Sequence, residues 1–240
     1  MSQFGYKQFY VRNRPHIHPP DSVLFVTFRL AGSIAKAVVE QYRREKIWLE
    51  KELIRVGSRS SQDQTDKDQM ERLLEFHRTW FARYESILDN AKVGPMWLGR
   101  TEIREIVSQK LMAGDIERYR LDAYSIMSNH AHIVFKPNIS ERNLTEVSGQ
   151  GRVRFESAEK TLAEIMQGIK GSTARNANIA LGRSGPFWER ESYDHYVRNE
   201  AEFHRVIRYT LNNPVKAGLV KHWRDWPGNY LAPRLIDSYE

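Results

Sequence analysis

The stretch Asn129-His-Ala-His-Ile-Val-Phe135 sets two imidazoles two positions apart. Side chains alternate faces along a strand, so His130 and His132 project one way and Ala131, Ile133 and Phe135 the other. Two imidazoles side by side on a rigid strand can hold one divalent ion, imidazole being the commonest protein metal ligand. The same spacing also fits two histidines on a solvated sheet face. A carboxylate, an amide or the substrate itself must complete any coordination sphere. His16-Ile-His18 repeats the spacing, but among prolines rather than in a strand, and it is read as incidental.

The second chemically suggestive segment runs from Phe203 to Gly218. If 200–213 is helical, Arg205, Tyr209 and Asn213 share one face at successive i+4 positions. Phe203, Val206 and Ile207 form a different stripe, the expected buried one. A phenol can attack phosphorus, with a cation nearby to favour phenolate and neutralise the phosphate. The plain alternative is a half-buried tyrosine, with Asn213 serving as a turn residue before Pro214.

These residues need elements to position them. Val23 to Leu30 is a β-branched and aromatic run that predicts a largely buried strand. Helical spacing then joins Val38, Tyr42, Leu49, Leu53 and Val56, and a polar tract from Ser58 to Lys67 interrupts it. Met70, Leu73, His77, Trp80, Tyr84 and Ile87 resume three and four residues apart. The pattern predicts an antiparallel helical hairpin over 34–56 and 66–90, acting as scaffold or dimer contact, closed by Gly94-Pro95. Thr101 is expected to cap a helix reaching about Met112, with Glu102 in its first turn. Tyr119–Met127 and His130–Lys136 read as strands joined by the two-residue turn Ser128-Asn129. Residues 138–157 read as a polar loop. Thr161-Leu-Ala-Glu164 resembles a capping box opening a helix to about Leu181. Gly185-Pro186, a short strand at Tyr193–Val197 and an Asn199-capped helix ending at Pro214 complete the order. Leaving out the hairpin, that order is β-α-β-β-α-β-α, the ferredoxin-like split βαβ arrangement of an α+β fold with an added C-terminal helix.

Composition narrows the function classes. Lys and Arg number 37 against 30 Asp and Glu, a formal net charge of +7 that favours polyanions. The chain has no cysteine, which excludes disulfides, thiolate metal sites and cysteine nucleophiles. No apolar run approaches a membrane span and the opening residues carry no signal-peptide core, so a cytoplasmic protein is expected.

Three motifs in order resemble the single-tyrosine HUH transposases, in their REP-associated tyrosine transposase branch. They are Tyr124-Ser-Ile-Met-Ser-Asn-His-Ala-His-Ile-Val-Phe135, Gly185-Pro-Phe-Trp-Glu-Arg-Glu-Ser-Tyr-Asp-His-Tyr-Val-Arg198 and Arg208-Tyr-Thr-Leu-Asn-Asn-Pro-Val-Lys-Ala-Gly-Leu219. Phe25-Val-Thr-Phe-Arg-Leu30 fits as well, and together these cover most of 20–30 and 95–225. Ser128 stands where the family pattern has Pro.

The resemblance implies His130 and His132 as a metal pair for Mg²⁺ or Mn²⁺, Tyr209 as nucleophile and Asn213 as third ligand where relatives carry Gln. Tyr193 and Tyr196 are the rival nucleophiles. It further implies cleavage and rejoining of single-stranded or hairpin DNA through a 5′-phosphotyrosine, by a monomer or homodimer. On this reading 1–22 is an N-terminal arm, and 23–230 one nuclease domain with a helical hairpin inserted at about 34–92. Residues 231–240 are a tail. Arg12 and Arg14 on the arm, with Lys170, Arg175, Arg190, Arg205 and Lys216, are the expected DNA contacts, alongside Arg198 and Arg208. Phe187, Trp188, Trp223 and Trp226 are candidates to stack on unpaired bases.

Two rival functions remain open at this level. One is a phosphodiesterase using the histidine pair without a tyrosyl intermediate. Histidine-triad nucleotide hydrolases would need a third histidine where position 134 is Val. The other rival is a non-catalytic protein that recognises DNA or RNA hairpins.

Overall fold

The computed structural model describes residues 10–11, 15–16, 22–57, 64–89, 94–138 and 158–239. Arg12 and Arg14, His18, and nearly all of the 138–157 loop lie outside the described residues. Two two-residue strands, Tyr10–Val11 and Pro15–His16, lie in the N-terminal segment, so His16 does fall in a strand, contrary to the expectation from its neighbouring prolines. Contacts divide the chain into two compact units, Gly32–Gly94 with Tyr10–Pro15, and Pro95–Glu240 with His16–Ala31.

The larger unit is mixed α+β, built on a five-stranded antiparallel sheet. Its strands are β1 (Leu24–Arg29), β2 (Tyr119–Ile126), β3 (His130–Pro137), β4 (Tyr193–Tyr196) and β5 (Asn229–Leu231). They lie in the order β4-β1-β3-β2-β5. The first four reproduce the ferredoxin-like arrangement, with β5 added at the β2 edge. The helices α3 (Thr101–Met112) and α4 (Ala158–Ala180) supply the two crossovers.

Alternation along the strands decides what each face buries. Leu24, Val26, Phe28, Ala131, Ile133 and Phe135 join Ile103, Val107 and Leu111 of α3 and Ile165 and Ile169 of α4 in one core. The opposite face carries Phe25, Thr27, His130, His132 and Val134. It is covered in part by α5 (Glu200–Lys216). β1 is buried along its whole length, and so is β3 apart from Lys136. A solvated histidine face is therefore excluded. Met127 N–H donates to the His130 carbonyl at 2.9 Å, which closes the expected two-residue turn at Ser128-Asn129.

Several boundaries differ from the sequence reading. Arg100, not Thr101, is the N-cap of α3, and no side chain caps it; Thr101 is already helical. Helix α4 begins at Ala158, so Thr161 lies inside it rather than at its cap. Asn199 does cap α5, accepting from Glu202 N at 2.9 Å. Pro214 does not stop that helix, which runs on to Lys216. Proline lacks its own N–H and crowds the preceding turn, but its carbonyl stays available near a helix end. Leu219 N–H takes that carbonyl at 2.9 Å and Gly218 N–H the Val215 carbonyl at 3.0 Å. Gly218, at φ +70°, supplies the left-handed residue this termination needs. The buried positions of α5 also differ. Ile207, Thr210, Leu211, Asn213 and Pro214 are buried, whereas Phe203 and Val206 are only half-buried.

The smaller unit is a helical hairpin of α1 (Lys36–Gly57) and α2 (Gln64–Asp89). Helix α2 takes in the last residues of the polar tract. Tyr42 meets Trp80 and Tyr84 with ring centroids 5.5 and 5.8 Å apart, and Trp48 meets Phe76 at 5.8 Å. Partners descend along α2 as they climb along α1, so the helices are antiparallel.

Candidate active site

β3 presents both histidines, and both are fully buried. Their Nε2 atoms face each other at 3.1 Å. The outer nitrogens are engaged as well. His130 Nδ1 lies 2.6 Å from Asn129 Oδ1, and His132 Nδ1 lies 2.9 Å from Thr27 Oγ1. Thr27 is brought there by the β1–β3 register, which pairs it with His132, while Phe25 two residues earlier stacks on the His132 ring at 5.5 Å.

Helix α5 closes over this pair. Asn213 is buried, its Nδ2 donating to His132 Nε2 at 3.1 Å. Its Oδ1 is buried with no hydrogen-bond partner among the described residues. One turn earlier, the half-buried Tyr209 sets its ring edge-on to His132, centroids 5.6 Å apart, and edge-on to Phe25 at 5.9 Å. Lys216 Nζ stands 5.8 Å from the centre of the Tyr209 ring. The i+4 line Arg205–Tyr209–Asn213 thus runs from exposed through half-buried to buried.

Burial disfavours the charged imidazolium and holds His130 well below its ordinary value, at about 3. His132 is also held well below, by burial first and then by the charges of His130 and Lys216. Both rings are therefore neutral at pH 7, the form that offers a lone pair to a cation. In the unfolded chain the same rings take up protons below about pH 6.5, while the folded protein refuses them. The contribution of His130 is therefore present above about pH 6.5 and is lost as the pH falls towards 3, and that of His132 is lost in the same direction. Urea unfolding at pH 7, 6 and 5 should show stability falling by about 1 kcal/mol per pH unit for each histidine. A flat profile over that window would contradict neutral burial of the pair.

The residues fit a divalent cation. Two nitrogens each about 2.1 Å from one ion at a right angle lie about 3.0 Å apart. The Nε2 pair is at 3.1 Å, and turning over the Asn213 amide, whose Nδ2 meets His132 Nε2, would bring its orphaned oxygen there as a hard donor.

No family model and no curated protein matches the chain. Among solved structures, it is similar to that of a REP-associated tyrosine transposase bound to a REP hairpin. The match is 15% identical with a TM-score of 0.39, covering 95% of this chain and 82% of the other. Likeness at that level carries no residue roles.

The other candidates are scattered. Tyr193 lies on the histidine face of the sheet, but paired with Thr27 on the strand beyond it, about 10 Å from β3. Tyr196 packs against the opposite core. Lys170 donates to the Arg190 carbonyl at 2.9 Å and to Ser192 Oγ at 3.1 Å, tying α4 to the approach to β4. Helix α4 covers the other face of the sheet, so Lys170 and Arg175 are not beside the histidines. Arg175, Arg190, Arg198 and Arg208 are exposed. Arg205 is exposed and pairs with Glu202 at 3.5 Å. Phe187 and Trp188 are core residues, with Trp188 Nε1 donating to Thr173 Oγ1 at 2.8 Å, so neither offers a face to a base. Trp223 and Trp226 are half-buried. Sequence reasoning passed over Thr27 and Phe25, because only strand pairing brings them to His132. Asn129 was read as a turn residue, although its place beside His130 was the available signal.

Proposed function

We propose that this chain is a metal-dependent nuclease that cuts and rejoins single-stranded DNA through Tyr209. The observation carrying the reading is the convergence of two neutral histidines, a buried amide whose oxygen lacks a partner and a tyrosine ring, with Asn213 and His132 81 positions apart in the chain. His130, His132 and Asn213 would hold Mg²⁺ or Mn²⁺. When bound, the ion supplies charge to polarise the scissile phosphate. The chain's own residues do the rest. Tyr209 Oη forms the bond to phosphorus as the bond from phosphorus to the 3′ oxygen breaks. The phenol proton ends on that oxygen, leaving a 5′-phosphotyrosine and a free 3′-OH. Attack by another 3′-OH reverses the step and rejoins DNA without ATP. Lys216, whose ammonium lies near the Tyr209 ring, offers positive charge to the incoming phosphate.

We place this activity in one domain spanning 23–230, in a cytoplasmic protein acting as monomer or homodimer, with the inserted hairpin as scaffold or dimer contact. The substrate class is hairpin-forming DNA, favoured by the net charge of +7. Arg12 and Arg14 would read bases beside the hairpin, Arg pairing well with guanine edges. Lys170, Arg175, Arg190 and Arg205 would contact phosphates.

Incubation with Mn²⁺ and the hairpin DNA flanking the gene should trap a covalent protein–DNA adduct. Cleavage without an adduct would favour the phosphodiesterase, and binding without cleavage the non-catalytic protein. A chain lacking 1–15 should lose its preference for specific over scrambled hairpins; an unchanged affinity ratio removes the arm from recognition.

A further inference from the structure

The outer nitrogens of the two rings are not idle. Asn129 is 3% exposed and Thr27 2% exposed, so neither is solvated, and each sets a single oxygen against one Nδ1, at 2.6 and 2.9 Å. An amide oxygen only accepts, so the proton on that line belongs to His130 Nδ1. A hydroxyl can accept from His132 Nδ1–H in the same way. A neutral imidazole carries one ring proton, and protons placed on both Nδ1 atoms leave both Nε2 atoms bare. Those are the atoms that face each other at 3.1 Å.

We propose that Thr27 and Asn129 are positioning residues that lock His132 and His130 as Nδ1–H tautomers, so that both Nε2 lone pairs point into one shared gap. The inference rests on the proposed function only in naming a divalent cation as the occupant of that gap. Two bare lone pairs at this distance repel unless a cation or a donated N–H lies between them, and with both ring protons held on Nδ1 neither ring supplies that N–H. The two devices come from different parts of the chain. Asn129 acts through its immediate neighbour in the β2–β3 turn, whereas Thr27 acts across the β1–β3 ladder. The other orientation of the Asn129 amide would present an N–H to Nδ1 and force the His130 proton onto Nε2, into the gap. The tautomer therefore separates the two arrangements.

Long-range ¹H–¹⁵N correlation spectra of the full chain, labelled with [¹⁵N]histidine and free of metal at pH 7, read the tautomers directly. His130→Gln and His132→Gln assign the two rings. Both should be Nδ1–H in the wild type. Thr27→Val keeps the β-branched shape and removes the acceptor, so it should release the His132 proton to Nε2, with the Asn213 amide turning its unpartnered oxygen to receive it, and leave His130 unchanged. Titration with Mn²⁺ alone, followed by the loss of the free-ion paramagnetic resonance signal, should show binding weakened about 10- to 100-fold in Thr27→Val. Thr27→Ser should restore it, and Asn129→Asp, still an acceptor, should keep it within a few-fold of the wild type. A purely structural Thr27 would lower the melting temperature without moving the tautomer. An Nε2–H signal from either ring of the wild type overturns the proposal. So does a Thr27→Val protein that keeps the wild-type His132 tautomer or the wild-type Mn²⁺ affinity. Nδ1–H tautomers in a wild type that binds no Mn²⁺ would uphold the positioning roles and remove the metal from the proposed function.

Discussion

Tyr209→Phe is expected to fold, to bind hairpin DNA and to form no covalent adduct. Only the phenol oxygen is deleted, and the ring contacts to His132 and Phe25 are kept. The side chain is half-buried, so the stability change should stay within about 1 kcal/mol. DNA affinity comes mainly from phosphate contacts and should persist. Cleavage should fall by on the order of 10⁴-fold or more, because the reaction loses the atom that becomes bonded to phosphorus. Tyr193→Phe and Tyr196→Phe should still form adduct. Tyr193 lies a further strand from His132, and Tyr196 belongs to the opposite face of the sheet. Mass spectrometry of a nuclease-trimmed adduct should place the nucleotide on the peptide containing Tyr209. A nucleotide on either rival tyrosine, or full cleavage by Tyr209→Phe, would overturn the assignment.

The histidine variants should abolish cleavage too, but at a structural cost that the tyrosine variant escapes. Both imidazoles are fully buried. His130→Ala empties a packed space and strips Asn129 Oδ1 of the contact it makes to the ring. His132→Ala does the same to Thr27 and Asn213. Each should lose about 2 to 3 kcal/mol of stability, from the cavity and the orphaned polar groups together. Loss of cleavage in these variants therefore carries weight only alongside melting curves and hairpin binding. Chelation removes the ion and leaves every side chain in place. It should stop cleavage by the wild type with DNA affinity largely kept, and added Mg²⁺ or Mn²⁺ should restore it. Neither ion should rescue the variants. Cleavage undiminished by chelator, or by both substitutions, would remove the metal reading and leave Tyr209 to act alone.

Local periodicity made much of the site legible. A two-residue repeat puts His130 and His132 on one side of any strand, and a four-residue step puts Tyr209 and Asn213 on one side of any helix. Both follow from backbone geometry that each segment carries within itself. Asn199 was readable as a cap for the same reason, since its partner, Glu202 N–H, is three residues away. Pro214 was misread because the rule against proline weighs a lost N–H and a clash. It cannot see the Gly218 termination that carries the helix two residues further.

Other features were decided only by the tertiary structure. Apolar alternation on β3 showed two faces, but not that α5 would cover the histidine side and turn a solvated pair into a buried one. Thr27 and His132 are 105 positions apart, and their contact depends on the β1–β3 register. That register is chosen by matching the buried faces of both strands at once. Phe187 and Trp188 looked like base-stacking candidates because an aromatic residue has the same sequence signature on a surface as in a core. The residues of this chain by themselves determined which side chains could act together within one strand or one helix. Bringing the strand to the helix, and setting Thr27 behind His132, required the folded sheet, because contacts between distant segments are selected by shared burial, which no single segment encodes.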